Sequence, residues 1–251
     1  MTVEEPKNDG QPTPNDNNNM DVEYSDLYPG RKQSSTPRSW LSKLFLMEKQ
    51  EEIDKLKCEM NVYDCVKSSP IVKLMLAALK SSGCEVDLTR HISCEVCDTS
   101  VTGGYDAELN QIVICQNTAR TMSRVQSALT HEMIHMFDYC RNKLDLTNLD
   151  HLACTEIRAA SICHCSFLGA YTQGIASFTN IKKKHQDCVM KKAIKSVVAA
   201  RNISEDTAAK AVLRVFDRCY NDLEPVGRHI RRNSQDMKKA YLEGPLYGYS
   251  D

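Results

Sequence analysis

His131-Glu132-Met133-Ile134-His135 lies inside a segment whose apolar residues, Val125, Leu129, Met133, Met136 and Cys140, recur every three or four positions. That period is helical. The helix must bury its apolar stripe and still let two imidazoles, four residues apart on one face, converge on a single point. Ser123 with Gln126 three residues on predicts a capping-box start, and Asn142 a stop. Two imidazoles so placed can share one metal ion. Glu132, offset by about 100°, stands beside that ion, where a carboxylate can take a proton from a water and pass it on.

Catalytic zinc usually has three protein ligands and an open fourth position, so a further donor must come from downstream. Glu156 follows on a second predicted helix, Leu152–Leu168, after a loop long enough to turn the chain back. It is the preferred third ligand. His151 at the helix entrance and Asp138, which shares the His135 face at i+3, remain open alternatives. Asp138 suits the orienting of an imidazole better than ligation. Glu156 could also be a plain first-turn carboxylate helping the helix dipole.

Around this segment the chain divides by composition. Residues 1–39 hold Pro6, Pro12, Pro14, Pro29 and Pro37 with the polar run Asn15–Asn19, too little apolar surface to offset ordering entropy. They read as a disordered acidic tail. Neither a secretory signal nor an Arg-rich presequence is legible in them. Ile53, Leu56, Met60 and Tyr63 then mark the inner face of a helix, and Pro70 opens another through Leu79 with Gly83 as its C-cap. Val86–Cys97 and Ile112–Cys115 read as strands, with turns at Gly103-Gly104 and Glu108-Leu-Asn110. Gly103–Asp106 leading to Gln111–Asn117 fits either a sheet edge that takes an extended peptide or an ordinary core strand. Ser204–Tyr220 is a further helix, capped by Ser204. The basic stretch 229–251 reads as a loosely held tail, with Lys182–Lys184 and Arg231-Arg232 as solvated surface.

The net charge is −1, so bulk attraction to nucleic acid is not implied. No apolar run approaches the length of about 18 residues that a membrane span needs. The twelve cysteines are too dilute for a miniature disulfide scaffold. They leave both reducing and oxidising compartments open. Cys94-Glu-Val-Cys97 and Cys163-His-Cys165 do not combine into a convincing structural zinc site.

His131–His135 with Phe137-Asp138, Cys140-Arg141 and His151-Leu-Ala-Cys154-Thr-Glu156-Ile-Arg158-Ala-Ala resembles the mitochondrial intermembrane-space zinc metalloproteases that mature an ATP synthase subunit. Animal members are also described as Ku-binding proteins. The likeness continues in Gly103–Asp106, Ile112–Asn117, His185–Val189, Arg201–Ser204 and Cys219–Pro225, spanning roughly residues 55–230. It departs at Leu146, where the family often has tryptophan, and at Ser161-Ile-Cys163.

The resemblance implies an α+β, mostly helical, zincin-like metallopeptidase of residues 40–228, with a small antiparallel sheet beside the H-E-x-x-H helix. It implies one catalytic Zn2+ on His131 and His135, with Glu132 as the catalytic residue; the third ligand stays open, with Glu156 preferred. The implied partners are the precursor of an ATP synthase membrane subunit and the synthase's assembly factors. A separate assembly-chaperone role is implied, as is peripheral contact with the inner membrane; no nucleic acid is expected. Two rivals stay open: a non-proteolytic assembly factor and, from the Ku connection, a nuclear interaction protein in DNA repair. The family's compartment is oxidising and is entered by trapping cysteine-rich chains, so the cysteines are expected in disulfides of unspecified connectivity.

Overall fold

The computed structural model describes residues 46–166, 180–231 and 234–250; the segment 1–39, expected to be a disordered tail, lies outside them. Two long helices open the described chain, α1 (Leu46–Ser68) and α2 (Pro70–Ser81). Pro70 sits in the first turn of α2, where a missing N–H costs nothing. At the other end, Gly83 takes φ +84°. Its N–H bonds to the Lys80 carbonyl at 3.0 Å, and that of Cys84 to the Leu79 carbonyl at 2.9 Å. This left-handed stop satisfies the last carbonyls and turns Cys84 toward Cys140.

A one-turn helix, α3 (Leu88–His91), leads into β1 (Ile92–Glu95), β2 (Gly103–Asp106) and β3 (Gln111–Cys115). The strand order is β1-β3-β2. β2 and β3 form an antiparallel hairpin in which Gly104 faces Val113, and the Glu108–Asn110 turn expected between them is present, with Asn110 at φ +50°. β1 runs parallel to β3, Ile92 opposite Ile112. The small sheet is therefore mixed, not purely antiparallel: β1 and β3 are separated by the whole β2 excursion and enter from the same side. Gly103-Gly104 is strand, not turn. Its glycine is needed for close approach, since a Cβ at Gly103 would lie 2.9 Å from the Val113 carbonyl oxygen and 3.3 Å from Glu132 Oε1.

α4 (Met122–Arg141) carries the two histidines and packs against α1, α2 and the sheet. Its cap is Thr121, which accepts from the Arg124 N–H, two residues before the expected Ser123. Together with α1, α2 and β3, α4 encloses one apolar core around Leu74, Met75, Ile112, Leu129 and Met133. A second core forms where α5 (Leu149–Ala159), α6 (Ile181–Arg201) and α7 (Glu205–Asn221) meet around Ile157, Val189, Val197 and Val212. Ser204 caps α7 as expected, accepting from the Thr207 N–H.

Three further expectations need correction. The face of α1 turned inward is Cys58, Val62 and Cys65, while Leu56, Met60 and Tyr63 are each more than half exposed. The helix has two apolar faces, and the Cys58–Cys94 bridge to β1 selects between them. The helix expected over Leu152–Leu168 ends at Ala159 and passes into a π turn, Ala160–His164. Finally, the segment from 229 onward is not a loose tail. Val226, Ile230 and Ala240 are buried in the first core, and α8 (Asp236–Glu243) packs on α2. Asp236 takes the Arg231 backbone N–H and guanidinium, at 3.0 and 2.7 Å, and so neutralises part of the basic run.

Five disulfides join these elements: Cys58–Cys94, Cys84–Cys140, Cys97–Cys115, Cys154–Cys219 and Cys165–Cys188. Cys65 and Cys163 are free. Under denaturing, non-reducing conditions, alkylation followed by mass spectrometry should label these two thiols and no others. Labelling of further cysteines would contradict the pairing.

Candidate metal centre

His131 and His135 project from successive turns of α4, and their Nε2 atoms face each other at 3.1 Å. Glu156, on α5, brings one carboxylate oxygen to 3.5 Å from His131 Nε2 and the other to 3.6 Å from His135 Nε2. Donors about 2.0–2.2 Å from one tetrahedral ion lie roughly 3.3–3.6 Å from each other. The three side chains come close to that triangle, with the imidazole pair slightly tighter and the two Glu156 contacts made through different oxygens; they are the one His/Cys/Asp/Glu group of metal-binding geometry among the described residues, their donor atoms within 4.8 Å of one another.

The donor set also lacks partners of its own. Glu156 Oε2 is buried and receives no hydrogen bond, a costly condition for a carboxylate unless a cation shares the site. Burial raises the Glu156 pKa to about 7, with the Ser196 hydroxyl on α6 pulling it back. Burial depresses His135 to about 3, helped by the His164 and Arg158 charges, and depresses His131 below its usual range. Both imidazoles are neutral near pH 7, the form that offers a lone pair to a metal.

A relay behind His135 fixes which nitrogen is free. Arg158, almost fully buried, donates from Nε to both Asp138 carboxylate oxygens at 3.0 and 2.9 Å. Thr155 donates its hydroxyl to Asp138 Oδ2 at 2.8 Å, so its own oxygen is left to accept from His135 Nδ1 at 2.9 Å. The proton is thereby held at Nδ1 and the lone pair at Nε2, toward Glu156. Burial raises the Asp138 pKa, and the Arg158 guanidinium opposes it. Arg158 also holds the chain after α7, through the carbonyls of Asp222 at 2.8 Å and Glu224 at 2.6 Å.

Glu132 is buried beside the triangle, against Gly103 of β2. Burial and the Glu156 charge push its pKa well above the carboxylate range. A cleft of about 510 Å³ opens over these groups. The β1–β2 loop and Gly104 form one wall; Leu146, Leu152 and the Ser196–Arg201 end of α6 form the other. The loop is strapped down by Cys97–Cys115 and by Asn117, whose side chain bonds the Cys97 N–H at 3.0 Å and its carbonyl at 2.7 Å.

The expected residues His131, Glu132, His135 and Glu156 thus meet at one place. Asp138 lies behind His135 through Thr155, not in the triangle. His151 points elsewhere, its Nδ1 accepting from the Asp145 N–H at 3.2 Å. Two residues that contact the histidines, Thr155 at His135 and His164 at His131, are not legible in the sequence. Thr155 gives no signal beyond its place beside Glu156, and His164 lies in a Cys-His-Cys stretch that reads only as an incomplete zinc motif.

A model of the Peptidase M76 family matches residues 56–227. The chain is 39% identical over 241 residues to the mitochondrial inner membrane protease ATP23 homolog of Danio rerio, covering 95% of this chain and 91% of that one. The Xenopus laevis homolog of the same name is 46% identical over 189 residues, 74% and 79% of the two chains. The Homo sapiens homolog is 40% identical over 219 residues, 86% and 85%. No solved structure matches the chain.

The raised Glu156 pKa has a measurable sign. The folded value lies above the ordinary 4.5, so the site favours the metal-free fold below about pH 4.5 and that contribution is lost as pH rises through about 7. The shift corresponds to roughly 3 kcal/mol. In metal-free protein, Glu156→Gln should abolish this loss. The melting temperature of wild type relative to the variant should fall between about pH 5 and pH 8, as read by calorimetry.

Proposed function

The chain belongs to the Peptidase M76 family, and we propose that it is a zinc endopeptidase of the mitochondrial inner membrane, working from the intermembrane space. Its membership makes it a metallopeptidase, and its relatives carry the name of mitochondrial inner membrane proteases. The observation that carries the zinc assignment is the donor triangle of His131, His135 and Glu156 with Glu132 beside it. Two imidazoles, a carboxylate and an open side toward a cleft are the usual set for catalytic zinc. Once bound, the ion supplies a Lewis acid for the scissile carbonyl and for the attacking water.

The chain's own residues do the rest. Glu132, its carboxylate made more basic by burial and by the Glu156 charge, takes a proton from the water and delivers it to the departing amine. The Arg158–Asp138–Thr155 relay holds His135 in one tautomer throughout. Among the described residues β2 has β3 on one side and no strand on the other, and Gly104 reaches the cleft wall. An extended peptide laid along it gains backbone hydrogen bonds with little side-chain selection.

Substrate and compartment have further support. The motif resemblance supports the precursor of an ATP synthase membrane subunit as substrate, with an assembly role beside cleavage. Five disulfides favour an oxidising compartment over a nuclear one. No helix among the described residues is long and apolar enough to cross a membrane, which is compatible with peripheral attachment.

Glu132→Gln tests the reading. It should lower precursor cleavage by about 10²–10⁴-fold while the purified variant keeps one zinc ion. Normal maturation by a zinc-loaded Glu132→Gln protein would overturn the peptidase mechanism. Glu156→Ala should lose the ion; retained stoichiometric zinc would remove Glu156 from the ligand set.

A further inference from the structure

We propose that His164 is the positioning residue for His131, holding its imidazole in the tautomer and orientation that a metal ligand needs. The inference rests on the zinc reading of the donor triangle and concerns a residue outside it. His164 Nε2 lies 2.9 Å from His131 Nδ1, and the ring centroids are 4.8 Å apart. His131 Nε2 faces His135 Nε2 and Glu156. It can offer its lone pair there only if the ring proton resides at Nδ1. The acceptor for that proton is His164 Nε2.

The two ligand histidines therefore have different supports. Behind His135 stands an anionic relay, Thr155 and then Asp138; behind His131 stands a neutral imidazole. A neutral acceptor fixes a tautomer as well as a carboxylate does, without adding a third negative charge beside Glu132 and Glu156.

The backbone is built to bring His164 there. The Cys165 N–H bonds to the Ala160 carbonyl at 2.9 Å, a five-residue step that closes the π turn. The extra residue rotates the end of the turn by about 100° relative to a continued α-helix. Cys165 is then bridged to Cys188 on α6, which pins the end of the turn. A single inserted residue and a disulfide thus aim one side chain at the back of a ligand.

The test is zinc affinity by chelator competition on the full chain, beside peptide turnover. His164→Leu should weaken zinc binding about 10–100-fold. His164→Gln, whose amide reaches the place of Nε2, should restore most of that affinity. Should the leucine variant misfold, His164→Asn replaces it: its amide stops one bond short and should weaken binding as leucine does. Wild-type affinity in the leucine or asparagine variant would overturn the proposal, and so would equal weakening by glutamine and asparagine, the mark of mere packing. A wild-type chain that takes up no zinc would instead overturn the zinc reading and this inference with it. Wild type that binds one ion, lost in His131→Ala, keeps that reading standing whatever His164 does.

Discussion

The Asp138–Arg158 pair ties the two halves of this molecule together at the point where chemistry is proposed to occur. α4 belongs to one apolar core and α5 to the other. Their junction could have been apolar throughout; it is instead a guanidinium clamped on a carboxylate, both nearly inaccessible. Such a pair carries a heavy desolvation cost, and it is tolerated only when every donor finds an acceptor. Arg158 meets that condition by donating its remaining N–H groups to the carbonyls of Asp222 and Glu224. One side chain therefore orients a proposed ligand through Asp138 and Thr155 and anchors the chain beyond α7.

That arrangement places rigid support around groups that are individually unstable. Three buried acids and three buried or half-buried histidines within one small volume resist ionisation, and their displaced pKa values follow from burial first and neighbours second. The disulfides contribute the complementary restraint. Cys97–Cys115 fixes the cleft wall, Cys154–Cys219 fixes α5 to α7, and Cys165–Cys188 fixes the turn behind the site. Each constrains the unfolded chain by about 2–4 kcal/mol, which helps offset the cost of a buried polar centre.

Much of this is legible in the residues. The H-E-x-x-H spacing and its apolar stripe identify α4, because helical period and ligand convergence are both local properties. Ser204 and Gly83 mark their helix ends for the same reason. Glu156 can be favoured but not separated from His151 and Asp138, since the direction of a loop decides which of them arrives. The inward face of α1 is easily misread because two apolar rows compete on it, and the choice depends on a disulfide to a distant strand. Gly103-Gly104 looks like a turn because glycine signals permissiveness; its actual reason is the lack of room for a Cβ between β3 and Glu132. His164 is hidden by the π turn, whose extra residue breaks the period from which side-chain direction is inferred.

As proposed, His131, His135 and Glu156 would together hold one zinc ion at the cleft, with Glu132 beside it. Zinc-edge X-ray absorption on the purified protein tests it most directly. Two imidazoles and oxygen donors at about 2.0–2.2 Å are expected, with no sulfur in the shell. A sulfur contribution near about 2.3 Å, the mark of thiolate ligation by Cys163 or Cys65, or a shell with a single imidazole, would contradict it.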